Sequence, residues 1–344
     1  LSDHRLVATL PIIIPLHALK LREPAACFAR LAEKQTKSTR DGQPFLVLTF
    51  RDRRKAMTSV VWSDAAMFRR IRDDWAVGGN YRLQGVLLEH DRYGPQFELR
   101  DGRDIRPTDA ADGFDERELI DRSRFDSQVM FDELIELVDA EIGREPVQHL
   151  VKAILAEHAE RLKVLPASRN RYHPFPGGWL EHTLSVVKTC RSLTDHYAVQ
   201  FAELKPPLNR DLILAAAVLH EIGRVAEWSP GDVDQPIATS VPGHLHGAGI
   251  LARDLIRAAA AAIPEFDAEF LLLLEHVILS YLTLPEWGSQ RLPAIPEVLV
   301  LHHADDLDAK MEMYARSLTN DASDGPFTDR DPVLNKPLWK SRTQ

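Results

Sequence analysis

Leu212–Arg224 reads LILAAAVLHEIGR. Leu212–Leu219 is apolar on every side, the pattern of a helix buried all round, and it breaks off at His220-Glu221 before Gly223. Burying a charge without a partner is costly. An imidazole beside a carboxylate at such a helix end therefore has two explanations. Either the end reaches solvent, or both groups hold a cation. The stretch alone leaves both open, and the sequence around it has to separate them.

The chain has 344 residues, 44% hydrophobic and 27% charged, enough for two domains with cores of their own. No run reaches the roughly 18 consecutive apolar residues of a membrane span, so no membrane partner is expected. The early stretch ATLPIIIPL carries Pro11 and Pro15 and lacks a small-residue cleavage pattern, which argues against a secretory signal. Cys27 and Cys190 are the only cysteines. They supply neither a disulfide framework nor a CxxC zinc site, and a reducing cytoplasm suits them best. The net charge of −9 is uneven: residues 1–108 carry 19 Lys and Arg against 13 Asp and Glu, the remainder 23 against 38. Such asymmetry hints at a polyanion-binding module joined to something else.

Residues 1–108 read as β-rich. Phe45–Phe50, Met57–Trp62, Asn80–His90 and Gln96–Arg100 are short and rich in β-branched or aromatic residues. Arg40-Asp41-Gly42 and Asp91–Pro95 supply turns, and Ser63–Asp74 predicts one inserted helix. About five strands with one helix suit an OB-type barrel. Arg51, Arg53, Arg54, Lys55, Trp62, Arg82, Arg92, Tyr93 and Phe97 interleave cations with rings, the mixture that grips single-stranded nucleic acid. The same residues also fit an ordinary core and surface.

Composition shifts to Asp, Gly, Arg and Ser over Pro107–Arg124, a candidate linker placed at 109–128. Beyond it the period becomes helical: Val129–Ile142, Val147–Val164, Trp179–Tyr197, Arg210–Glu221, His246–Ala262, Asp267–Leu282 and Pro296–Leu318. Residues 129–319 thus form a helical domain, and 320–344 a polar tail. Histidines and acids gather at element ends: His182 after Gly177-Gly178, His220-Glu221, His244 after Gly243, and Asp305 in LHHADDLDAKM. Imidazole nitrogen with carboxylate oxygen suits a dication such as Mn²⁺ or Fe²⁺.

This order resembles the HD superfamily of metal-dependent phosphohydrolases, with its pattern H…HD…H…D on a helical bundle. More narrowly, it resembles the HD-domain 3′-to-5′ exoribonucleases of the YhaM type. The matching stretches are GGWLEHTLSVV (177–187), AAVLHEIGR (216–224), GHLHGAGI (243–250), LEHVILS (274–280) and LHHADDLDAKM (301–311), with DGQPFLVLTFRD (41–52) in the barrel part. The implied fold is α+β and multidomain: an N-terminal OB-type barrel, then an all-α HD bundle. The resemblance implies metal ligation by His182, His220 and Asp305, with Glu221, the motif's acid, as a further metal ligand and His244 serving a second metal or the substrate phosphate. Arg224 stands where the family has a lysine and is expected to contact the scissile phosphate. Two departures stand out. Glu221 replaces the family's Asp, and Tyr281-Leu282 replaces a His pair, so one metal rather than two is expected. His276 remains an alternative ligand or a core histidine, and His173 is unassigned.

The activity implied is 3′-to-5′ degradation of single-stranded RNA to nucleoside 5′-monophosphates. Mn²⁺ is the expected metal, with Fe²⁺ or Mg²⁺ as alternatives, and single-stranded DNA an alternative substrate. A homo-oligomer is the family's expected state. Two rivals stay open: a nucleic-acid-binding protein with a decayed HD site, and a one-metal phosphohydrolase acting on nucleotides.

Overall fold

The computed structural model describes residues 13–90, 94–100, 105–116, 119, 122–229, 237–321 and 323–340. Pro11, Arg92, Tyr93 and the first part of the Asp91–Pro95 turn lie outside the described residues. The chain divides into two compact units, Leu1–Asp121 with Asn320–Pro326 and Arg122–Thr319 with Phe327–Gln344.

The first unit is a closed barrel. Strands β1 (Pro24–Ser38), β2 (Pro44–Arg51), β3 (Ala56–Trp62), β4 (Asn80–His90), β5 (Gly94–Leu99) and the short β6 (Arg106–Pro107) run in the order β1-β2-β3-β5-β4-β6, and β1 also pairs with β4. Closure depends on β1, which sequence reading left unnamed. Its first half pairs with β4 from Pro24 to Arg30, and its second half pairs with β2 from Arg30 to Ser38 across an irregularity between Leu31 and Glu33. One strand thereby serves both edges, as an OB barrel requires. Gly85 sits where an added Cβ would lie 2.2 Å from the Glu98 carbonyl oxygen, so only glycine lets β4 and β5 close this tightly.

Helix α1 (Phe68–Asp74) follows β3 and buries Phe68 and Ile71. Its C-terminal carbonyls are held by Lys34, whose Nζ donates to Arg72 O at 2.8 Å and Trp75 O at 2.5 Å. Such a cation is favourable at a helix C-terminus.

The barrel corrects part of the expected nucleic-acid surface. Phe97 is fully buried and belongs to the core. Arg82 is nearly buried and pairs with Asp112 at 3.2 Å. Arg106 also meets Asp112 at 2.6 Å. The Arg106 guanidinium leads in holding the Asp112 carboxyl down to about 2. What stays outside is an ordered face. The register aligns Lys37, Phe45 and Trp62 in one row across β1-β2-β3, and Gln35, Val47 and Val60 in the next on that face. The rings of Phe45 and Trp62 are 5.0 Å apart, and Trp62 is 52% exposed. At the far end of β2–β3, buried Asp52 accepts from the backbone N–H groups of Arg54 (2.8 Å) and Lys55 (2.7 Å). That turn leaves the side chains of Arg51, Arg53 and Arg54 exposed.

In the second unit, α6 (Arg210–Leu219) is the central element, and every residue from Leu212 to Leu219 is buried. It packs against α2 (Ser127–Glu141), α3 (Glu145–Glu157), α5 (Gly178–Gln200) and α9 (Ala268–Ser280). The remaining helices are α4 (Ala159–Leu162), α7 (Arg224–Glu227), α8 (Val241–Ala261) and α10 (Pro296–Asn320). Among the described residues no helix is long and apolar enough to cross a membrane.

Gly223, between α6 and α7, explains the glycine of the quoted stretch. A Cβ there would sit 2.0 Å from the Ala248 carbonyl oxygen of α8. Backbone meets backbone at that point, and neither can rotate away. Gly223→Ala is therefore expected to cost about 1–3 kcal/mol, read as a thermal midpoint lowered by several degrees. An unchanged midpoint would show that α8 gives way freely.

The stretch read as a polar tail has local order. The Thr328 N–H donates to Leu338 O at 2.8 Å, and the Leu338 N–H returns to Thr328 Oγ1 at 2.9 Å.

Candidate metal centre

Three helices bring the site together. Helix α5 starts at Gly178, whose Cβ position would lie 2.2 Å from the His173 carbonyl oxygen. The double glycine thus lets the preceding loop close onto the helix start, one turn before His182. Helix α6 delivers His220 as its C-terminal cap. Helix α10 presents Asp305 and Asp308 three residues apart, hence on one face.

His182 Nε2 lies 3.3 Å from His220 Nε2 and 3.1 Å from Asp305 Oδ1, and His220 Nε2 lies 3.7 Å from the same oxygen. The point equidistant from these three atoms is about 2 Å from each, the length of a bond from imidazole nitrogen or carboxylate oxygen to a transition-metal dication. All three residues are buried.

Their outer contacts set the protonation. His220 Nδ1 meets Ala217 O at 2.8 Å, and His182 Nδ1 meets Asp308 Oδ2 at 2.7 Å. A carbonyl and a carboxylate can only accept, so both Nδ1 atoms donate, and both Nε2 lone pairs face inward. Asp305 Oδ1 adds a third inward acceptor and is itself buried without a hydrogen-bond donor. Three converging acceptors need a cation between them: a proton serves two of them, and a dication ligates all three. The residues present fit a metal.

The same charges act on protons. Burial works against a charged imidazole, yet Asp305 and Asp308 raise His182 to about 10. Asp305 and Asp308 resist the upward push of burial, and their histidine partners hold both well below the usual carboxylate range.

Asp308 is the residue that sequence reading missed, although its spacing from Asp305 was in view. Its Oδ2 also meets His173 Nε2 at 3.0 Å, so His173, unassigned before, braces the carboxylate that orients His182. We expect Asp308→Asn to weaken dication affinity about 10- to 100-fold while leaving RNA affinity unchanged, measured by metal titration and by anisotropy on labelled RNA. Unchanged metal affinity would remove Asp308 from this role.

The other expected residues fall elsewhere. The ligand atoms of Glu221 lie outside the converging group, although the residue is buried. Its Oε1 accepts from the Tyr172 hydroxyl at 2.7 Å and from Arg224 Nη2 at 3.1 Å, while Oε2 is sealed without a donor. Arg224 pairs with Glu227 as well, at 2.5 Å, and lies over the Trp228 ring. Its cation is neutralised twice, so in this arrangement it steadies Glu221 rather than standing free. His244 is exposed in the first turn of α8 and is not among the converging groups. His276 Nε2 accepts the Ala294 N–H at 3.1 Å, which fits the core reading. At the Tyr281-Leu282 position no imidazole is present, and the Tyr281 ring packs edge-on against His220, centroids 5.3 Å apart.

Comparison with known proteins agrees with this geometry. The HD domain family model matches residues 179–310, which include all three converging residues. The 3′-5′ exoribonuclease YhaM of Bacillus subtilis (strain 168) is 28% identical over 309 residues, covering 87% of this chain and 89% of that protein. The chain thus resembles YhaM-type HD-domain exoribonucleases along most of its length. A relative of the same name from Shouchella clausii (strain KSM-K16) is 29% identical over 316 residues, covering 90% of this chain and 91% of its own. The TraI_2 model, “Putative helicase”, matches residues 123–226. That segment holds no glycine-rich loop ending in Lys-Ser or Lys-Thr, the phosphate cradle of many nucleotide-driven motors. Among solved structures, the second OB-fold domain of replication protein A from Methanococcus maripaludis is similar with a TM-score of 0.22 and 14% identity, over 28% of this chain and 96% of that one. The barrel assignment rests on strand order and closure.

Proposed function

We propose that this chain is a metal-dependent 3′-to-5′ exoribonuclease that takes single-stranded RNA to nucleoside 5′-monophosphates, with Mn²⁺ as its metal. One observation carries the reading: three buried lone pairs, on His182, His220 and Asp305, face a single point about 2 Å from each. Its relatives of matching length are named 3′-5′ exoribonucleases, and the other unit is an OB-type barrel with exposed rings and cations on one face.

When bound, a dication at that point polarises a non-bridging phosphate oxygen and lowers the pKa of its water. The chain's own residues do the rest. His182, His220 and Asp305 hold the ion, and Asp308 with the Ala217 carbonyl fixes both imidazoles with Nε2 inward. Glu221 borders this cluster as a buried carboxylate whose Oε2 has no donor. Tyr172 and Arg224 hold that carboxylate by its other oxygen.

Purified protein with Mn²⁺ and a 5′-labelled single-stranded RNA should give a ladder shortening from the 3′ end. Binding without cleavage would instead favour a decayed nucleic-acid-binding protein. Metal analysis of the loaded protein should find about one dication, because His244, His276 and Tyr281 assemble no second cluster with it, and the neighbouring group of His173, His182 and Asp308 is joined by its own hydrogen bonds; two tightly held ions would overturn this.

A further inference from the structure

Two tyrosines wall the converging histidines, and they differ in what their hydroxyls do. Tyr172 lies with its ring 5.0 Å from that of His182, and its hydroxyl is spent on Glu221 Oε1 at 2.7 Å. Tyr281 caps α9 and packs against His220 on another side of the cluster. Only 7% of Tyr281 is exposed, and its backbone carbonyl meets His302, yet no hydrogen bond of its hydroxyl is found among the described residues. Buried tyrosines usually satisfy that group. The oxygen is also not one of the sealed, unpartnered polar atoms of this unit, so part of its surface stays open.

Its surroundings select its role. A tyrosine hydroxyl carries its proton at neutral pH, so with no partner of its own it can donate. Near the three converging atoms, Asp305 and Glu221 accept, the Tyr172 hydroxyl is taken, and Arg224 is bound to two acids through its Nη atoms, its unpaired Nε being sealed from solvent. A phosphodiester entering this site brings non-bridging oxygens that need donors, and negative charge builds on them as the water attacks.

We propose that Tyr281 is a catalytic residue whose hydroxyl donates a hydrogen bond to a non-bridging oxygen of the scissile phosphate. The assignment rests on the phosphodiesterase reading above. No proton is transferred: the hydroxyl keeps its hydrogen, and the bond strengthens as charge grows on the phosphate oxygen. Phenylalanine at this position would keep the ring on His220 and remove only the donor.

The test compares Tyr281→Phe with the wild type, both loaded with Mn²⁺. Turnover of single-stranded RNA should fall about 100-fold, with KM, Mn²⁺ affinity and thermal midpoint little changed. Inorganic phosphate should bind the variant about tenfold more weakly. Sulfur placed on one non-bridging oxygen, in the Rp or Sp form, should slow the wild type for one isomer more than the variant, because only the wild type has the donor to lose. Turnover close to wild type with phosphate affinity unchanged would overturn the proposal. So would a loss that tracks weakened Mn²⁺ binding, which would make Tyr281 only a packing partner of His220. If the wild type itself yields no ladder, the exoribonuclease reading fails, and the phosphate titration alone decides Tyr281: equal affinity in both proteins overturns it.

Discussion

The His220→Ala protein is expected to lose RNA turnover by on the order of 10³-fold or more while holding single-stranded RNA as tightly as the wild type. The substitution removes one of the three inward lone pairs and leaves His182 Nε2 and Asp305 Oδ1 facing each other at 3.1 Å. Those two groups no longer need a dication, since one proton between them satisfies both. Metal content should therefore fall together with turnover. Burial makes a structural loss a competing explanation, because His220 is 1% exposed and its removal opens a cavity beside Tyr281. His220→Gln keeps more of the volume and should lose metal and turnover alike, with a smaller change in thermal midpoint. RNA affinity, measured by anisotropy without metal, is the decisive control. An equal fall in affinity and turnover would mean that the helical unit, not the barrel, carries most of the RNA binding.

Much of this site was legible because the chemistry sits at helix ends. An all-apolar α6 cannot bury His220 and Glu221 without a reason, and the ordered recurrence of histidines and acids supplied one. Periodicity located the helical elements for the same reason: their buried faces are long and apolar. What stayed hidden depends on three-dimensional contact. Strand β1 was missed because its first half, Ala25–Leu31, is alanine-rich and buried at every position, so no alternation marks it, while its second half is polar. Asp308 looked like one of several acids on a solvated helix, and only its contact with His182 Nδ1 separates it from Asp306, which pairs with Lys310. Phe97 shows the reverse error. A ring among arginines in sequence is no guide to which side of a strand it occupies, and the two-residue alternation puts Phe97 in the core while Trp62 stays out.

That exposed ring sets the second large effect. The double substitution Phe45→Ala, Trp62→Ala should weaken single-stranded RNA binding by roughly 10²- to 10⁴-fold, taking about 1–3 kcal/mol for each stacked base. The two rings share a row with Lys37, so a base lying on them has a cation within reach of its phosphate. From Phe45 to Arg51 the strand runs about 20 Å at 3.3 Å per residue, with rings at one end and the arginines of the Asp52 turn at the other. A few nucleotides fit that path, near the low end of the roughly 4–16 covered by one OB fold. Both side chains point out of the barrel, so the variant should melt close to the wild type. Its kcat at saturating RNA should be unchanged, as should cleavage of a dinucleotide too short to use the barrel; the whole loss should appear in KM. Salt separates the two ends of the path: Arg51→Ala with Arg54→Ala should flatten the dependence of affinity on ionic strength, whereas the aromatic variant should lower affinity at every salt concentration with the slope preserved. If the aromatic variant binds RNA normally, the β2–β3 face is not the RNA path, and the rows of exposed rings and cations belong to some other partner.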